Sequence, residues 1–118
     1  MSQDFQDLTV WQRAMELTEA VYNLTKTFPK HEVYGLTSQL RRASVSVASN
    51  IAEGRARATD RDFRQFLNIA LGSTYEVQTQ LLLAKRLTIG DEAMRKKAES
   101  LCIETSKMLG AFLQSLKS

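Results

Sequence analysis

Chain breakers are scarce in this sequence of 118 residues: Pro29 is the only proline, and glycine occurs five times, at Gly35, Gly54, Gly72, Gly90 and Gly110. So few interruptions leave room for only a few long elements. Cysteine occurs once, as Cys102, which excludes an internal disulfide framework and agrees with a cytosolic protein. Histidine also occurs once, as His31. One Cys and one His cannot build a structural zinc site, and metal chemistry in a helical bundle draws on Glu-x-x-His pairs that this chain lacks. Long apolar runs are missing as well: Leu81-Leu82-Leu83-Ala84 falls far short of a bilayer span. The opening Met1-Ser2-Gln3-Asp4-Phe5 has acid where a signal peptide would need a basic stretch and an apolar run, so the cytoplasm is the expected location. Low-complexity tracts and internal repeats are absent too.

What is present is globular in balance, with 43% apolar and 25% charged residues. Pro29, Gly54 and Gly90 divide the chain into four segments of similar length, and each carries helical periodicity. The first stripe is Val10, Ala14, Leu17, Val21, Leu24 and Phe28. The second is Leu36, Leu40, Ala43, Val47, Asn50 or Ile51, and Gly54. The third is Phe63, Phe66, Ala70, Thr74 (or Ser73), Val77, Leu81 and Ala84, and the fourth is Met94, Ala98, Leu101, Thr105, Met108, Phe112 and Leu116. Capping signals fit this division: Glu32 suits the first turn of the second helix, while Thr59 and Asp91 can cap the third and fourth. The expected helices run over residues 8–28, 32–54, 59–87 and 91–116 of one domain, 1–118. Their short connections make an all-α, antiparallel, up-down-up-down four-helix bundle.

The apolar residues left over form a second face. Trp11, Met15 and Tyr22 recur on the first helix, Val45, Ala48 and Ala52 on the second, and Leu67, Ile69, Leu71, Leu82 and Leu83 spread around the third. A helix of an isolated bundle needs only one apolar stripe. A homo-oligomer that buries the second face is therefore expected, with the small residues Ser44, Ala48, Ser49 and Ala52 allowing helices to approach closely.

Sixteen Lys and Arg against thirteen Asp and Glu give a formal charge of +3, an excess too mild to demand an anionic partner. The distribution is more informative. Arg41, Arg42, Arg55, Arg57, Arg61 and Arg64 fall within one stretch, and the last four surround the second connection. Their planar forks suit phosphate, and an oligomer would repeat them around its rim, so they are candidate nucleic-acid contacts. A second basic group, with Lys26, Lys30, His31, Lys85, Arg86, Arg95, Lys96 and Lys97, is expected at the opposite end.

Catalytic patterns fail one by one. Glu16-Leu17-Thr18-Glu19 lacks the matching acidic motif that helical nucleotide pyrophosphatases place on a neighbouring helix. The residues four to six before His31 are Thr27, Lys26 and Thr25, so the Arg–His spacing of HEPN-type ribonucleases is missing. Gly54-Arg55-Ala56-Arg57 is no phosphate loop. No catalytic residue, metal ligand or cofactor is expected. Asn50, on or beside the core stripe, is expected in a structural polar network with partners such as Glu76.

Three stretches carry a family likeness: Leu8-Thr9-Val10-Trp11-Gln12-Arg13-Ala14; Gly35-Leu36-Thr37-Ser38-Gln39-Leu40-Arg41-Arg42-Ala43, running into Ser49-Asn50-Ile51-Ala52-Glu53-Gly54; and Phe63-Arg64-Gln65-Phe66-Leu67-Asn68-Ile69-Ala70-Leu71-Gly72-Ser73-Thr74-Tyr75-Glu76. Together they resemble the four-helix bundle proteins encoded in intervening sequences of 23S ribosomal RNA genes. The resemblance implies a homopentameric ring. It also implies kinship with accessory proteins of diversity-generating retroelements, which associate with a reverse transcriptase and with nucleic acid. Leu71 stands where members often carry a polar or basic residue. The resulting expectation is a non-enzymatic oligomeric scaffold that binds RNA or DNA weakly and without much sequence preference, the alternative being a protein-interaction adaptor without nucleic-acid binding. A reverse transcriptase or other protein is among the candidate partners.

Overall fold

Helix-forming stretches end where the backbone is forced to turn. The computed structural model describes residues 4–116 and contains α1 (Thr9–Thr25), α2 (Leu36–Arg55), α3 (Asp60–Arg86) and α4 (Glu92–Ser115), with no strand among the described residues. Two short 3-10 turns, Phe5–Asp7 and Lys30–Glu32, precede α1 and α2. The Thr59 hydroxyl accepts the Asp62 N–H at 3.2 Å and the Asp91 carboxylate accepts the Met94 N–H at 2.9 Å, capping α3 and α4 as the sequence suggests. Glu32 acts differently from expectation. It stays outside α2 and reaches forward with Oε1 to accept the Leu36 N–H at 3.0 Å.

Gly90 has φ +86°, the left-handed region where a side chain is disfavoured, and the Phe28 ring lies against it, so a Cβ would fall 2.4 Å from Phe28 Cε1. Gly54 does something other than end α2. It is buried in the last turn, and a Cβ there would fall 2.7 Å from Phe66 Cβ and 2.9 Å from Phe63 Cδ1. Its missing side chain lets the last turn of α2 come close to Phe63 and Phe66 of α3.

Each helix packs against two others, α1 with α2 and α4, and α3 with α2 and α4, in a rod of 46 × 20 × 20 Å. Leu17, Val21, Leu24, Leu40, Val47, Ile51, Leu67, Val77, Leu81 and Leu109 are fully buried between them. The stripes read for α1 and α2 are buried as expected, and that of α3 is buried apart from half-exposed Phe66. Leu67 is a correction: it lies in the core rather than on a second face.

The α4 stripe is displaced. Ala98, Cys102, Thr105 and Leu109 are buried while Met94 is exposed, so the apolar series chosen from the sequence runs partly along the edge of the true inner face. Cys102 Sγ donates to the Thr74 carbonyl at 3.2 Å, and burial pushes its thiol pKa up to about 12. Arg95 belongs to this inner face as well, with Nε 3.6 Å from Glu99 Oε2 and no hydrogen-bond partner on that atom. It is not part of an exposed basic group.

Candidate functional site

The outer face between α1 and α2 is built from side chains left over once the core is filled. Thr18 Oγ1 donates to the Ser44 carbonyl at 3.1 Å, so these two helices meet closely where α2 offers small residues. Ser44 is buried there, and Ala48, one turn further on, is only 7% exposed. Ala48 is therefore a correction. It packs inside its own chain and has little surface to give a second copy, and Ala52 is half-buried. Trp11 is also partly withdrawn, because the turn at Phe5–Asp7 folds against α1 and α2 and sets the Phe5 ring edge-on to the indole at 5.3 Å.

What remains open is Met15, Tyr22 and Val45, exposed by 40%, 38% and 41%. Tyr22 and Val45 line a groove of about 470 Å³ whose wall also includes Val33, Thr37, Ser38, Arg41, Arg42 and Ser46. Val33 was outside the sequence expectations. It falls inside the expected second helix, 32–54, but on none of its apolar stripes, and the structure places it in the connection before α2.

The arginines divide by what they touch. Arg41 Nε donates to Thr25 Oγ1 at 2.8 Å, and its guanidinium lies 4.6 Å from the Tyr22 ring centre. At the α2–α3 turn, Arg57 covers the Phe66 ring at 4.8 Å and Arg55 lies 5.9 Å from Phe63, distances at which the ring quadrupole attracts a cation. Arg64 Nη1 donates to the Leu116 carbonyl at 2.6 Å, beyond the negative end of α4. Arg64 thus ties two helices together and is half-buried. Arg42 and Arg61 are exposed. Of the ion pairs among the described residues, none joins Arg57, Arg61 or Arg64 to Asp60 or Asp62.

Asn50 does sit in a polar network. Its amide donates to the Ser46 carbonyl at 2.8 Å and to Ser46 Oγ at 3.0 Å, and Ser46 Oγ meets Ser73 Oγ at 2.9 Å across α2 and α3. Glu76 is a correction: it is exposed and makes no bond to Asn50. The network closes one turn earlier on α3 because a hydroxyl, not a carboxylate, is near enough to Ser46.

Among the described residues no group of three His, Cys, Asp or Glu could hold a metal ion, and no helix is long and apolar enough to cross a membrane. The arrangement offers surfaces: an apolar groove with a cationic wall, a turn carrying guanidinium groups, and a stretch of α3 where Ile69, Tyr75, Leu82 and Leu83 are exposed.

Comparison with known proteins agrees with this architecture. Among curated proteins, none matches the sequence. Four chains of solved structures match. One is the crystal structure of a protein of unknown function from the S23 ribosomal protein family of Bacteroides thetaiotaomicron, similar to this chain with a TM-score of 0.78 and 24% sequence identity over 89% of this chain and 98% of that one. The family model described as 23S rRNA-intervening sequence protein matches residues 6–111. With nearly the whole helical region matched, the chain belongs to the 23S rRNA-intervening sequence protein family.

Proposed function

We propose that the chain is an up-down-up-down bundle that assembles into a homo-oligomer, a pentameric ring by its family resemblance. The assembly acts in the cytoplasm as a non-catalytic scaffold, holding RNA or DNA loosely by its basic rims. The observation that carries this reading is the open groove between α1 and α2, with Tyr22, Val33 and Val45 at the surface of a bundle whose core is already complete. Tyr22 and Val45 are already more than half buried, so covering the rest contributes only part of the roughly 1.5–3 kcal/mol of full burial, and several side chains must be covered together to favour association. The alternating helix directions are supported by three links. Thr27 beyond α1 bonds Asp91 before α4, Arg64 early in α3 bonds Leu116 after α4, and Arg41 early in α2 bonds Thr25 at the end of α1.

Repetition around a ring turns a modest charge into an extended one. Arg42 on the groove wall and Arg57 and Arg61 at the α2–α3 turn would recur in every copy, and each phosphate neutralised adds to a salt-dependent affinity. A filter-binding titration against structured RNA and duplex DNA at two salt concentrations tests this. Steep weakening with salt is expected, and a further loss in the Arg57→Ala, Arg61→Ala double variant. No binding at low salt would leave the second reading, an adaptor for a reverse transcriptase or another protein. One observation favours that reading: Arg41, Arg57 and Arg64 are already engaged with Tyr22, Phe66 and the Leu116 carbonyl.

A further inference from the structure

The end of the rod opposite the arginine turn carries a different combination of groups. Two connections meet there, 26–35 and 87–91, fastened by the Asp91 N–H donating to Thr27 Oγ1 at 2.9 Å and by the Phe28 ring lying against Gly90. Tyr34 stands almost free of the protein, 94% exposed, between the Lys30–Glu32 turn and the start of α2. Lys26 and Lys30 from one connection, and Lys85 and Arg86 from the last turn of α3, are exposed at the same end. The acids nearby are already committed. Glu32 caps Leu36, Asp91 caps Met94, and Glu92 pairs with Lys96 at 3.2 Å. These carboxylates keep their charge but are held by the backbone and by Lys96, and none of them forms an ion pair with Lys26, Lys30, Lys85 or Arg86.

We propose that this end is a separate site for single-stranded nucleic acid, in which one unpaired base stacks on Tyr34 and the lysines and Arg86 take the neighbouring phosphates. An aromatic ring almost wholly exposed, at an end of the rod that also carries exposed cations, combines the two elements that bind unpaired bases without reading their sequence. A duplex offers no free base face to such a ring. An anionic membrane fits less well, because the site lies on two short connections and has no amphipathic helix to bury among lipid headgroups.

The site shares no residue with the arginine turn, so the two readings fail separately. The test is an anisotropy titration of labelled oligothymidylate at two salt concentrations, with duplex DNA and phosphatidylserine vesicles in parallel. Tyr34→Ala is expected to weaken oligothymidylate binding about tenfold, while Tyr34→Phe, which keeps the ring, binds as the parent does. The Lys30→Ala, Arg86→Ala pair should flatten the salt dependence, and the Arg57→Ala, Arg61→Ala pair should leave oligothymidylate binding in place. Circular dichroism will show each variant folded, since Tyr34 supports nothing. Unchanged affinity in Tyr34→Ala, an equal loss on duplex, or binding to the vesicles in place of oligothymidylate would overturn the proposal.

Discussion

Helix α1 has two outer flanks, and they are finished in opposite ways. Against α4 its first turns are polar and internally paired: Arg13 bonds Glu16 at 2.7 Å and Glu104 at 2.9 Å, and these carboxylates hold its guanidinium pKa above the ordinary value, the Glu104 bond contributing most. Against α2 the same helix turns out Met15 and Tyr22 beside Val45 and Val33, all partly or largely open to water. The interior beneath both flanks is the same closed core. The α4 flank has its charges paired and leaves Met94 open at one end, whereas the α2 flank gathers several apolar side chains that are stabilised when something covers them.

The largest effect should come from the residue that both flanks share. Leu17 is fully buried, and Leu17→Ala should cost about 2–5 kcal/mol of stability in urea denaturation. A near-neutral result would mean that the core is looser than its burial indicates. Next, Val45→Asp leaves the bundle folded but puts a carboxylate into the groove. Covering it without a partner is costly, and self-association should weaken about tenfold or more by sedimentation. An equal charge added on the α4 flank, as in Asn23→Asp, should change association far less.

The third test asks whether the core behind the polar flank is as dry as the rest. The Cys102 thiol is buried and its pKa raised to about 12 from 9.0. The folded state therefore holds its proton more tightly than the unfolded chain. Stability from this group is intact below pH 9.0, declines between there and about pH 12, and is lost above. Wild type should lose stability relative to Cys102→Ala by up to about 1.4 kcal/mol per pH unit in that window. The same slope in both proteins would contradict a buried thiol. The smallest effect belongs to Arg13→Ala, a salt-screened loss confined to the α1–α4 flank that should fade in high salt.

Much of this contrast is legible in the sequence, and the reasons are physical. The stripes of α1 and α2 are built from large aliphatic residues at helical spacing, so periodicity locates the inner face directly. α4 hides its inner face because it is lined with Ala98, Cys102 and Thr105, while bulkier Met94, Leu101 and Met108 sit towards the edge. The exposed flank was harder to bound. Met15, Tyr22 and Val45 are where the leftover stripe places them, but Ala48 is consumed by the close packing of α2, and Trp11 is sheltered by a turn at Phe5–Asp7 that no periodicity announces. Position along the chain alone groups Arg64 with its neighbours. Its bond to the Leu116 carbonyl joins residues 52 apart, which local sequence cannot show.

The direct measurement is sedimentation equilibrium of the unmodified protein at micromolar concentration, read against its 13.3 kDa chain mass. If the α1–α2 groove is covered by another copy, the mass will be a whole multiple of that value and will fall towards it in Val45→Asp. A single species of chain mass across the concentration range, in wild type and variant alike, would mean that the groove faces water or a different partner.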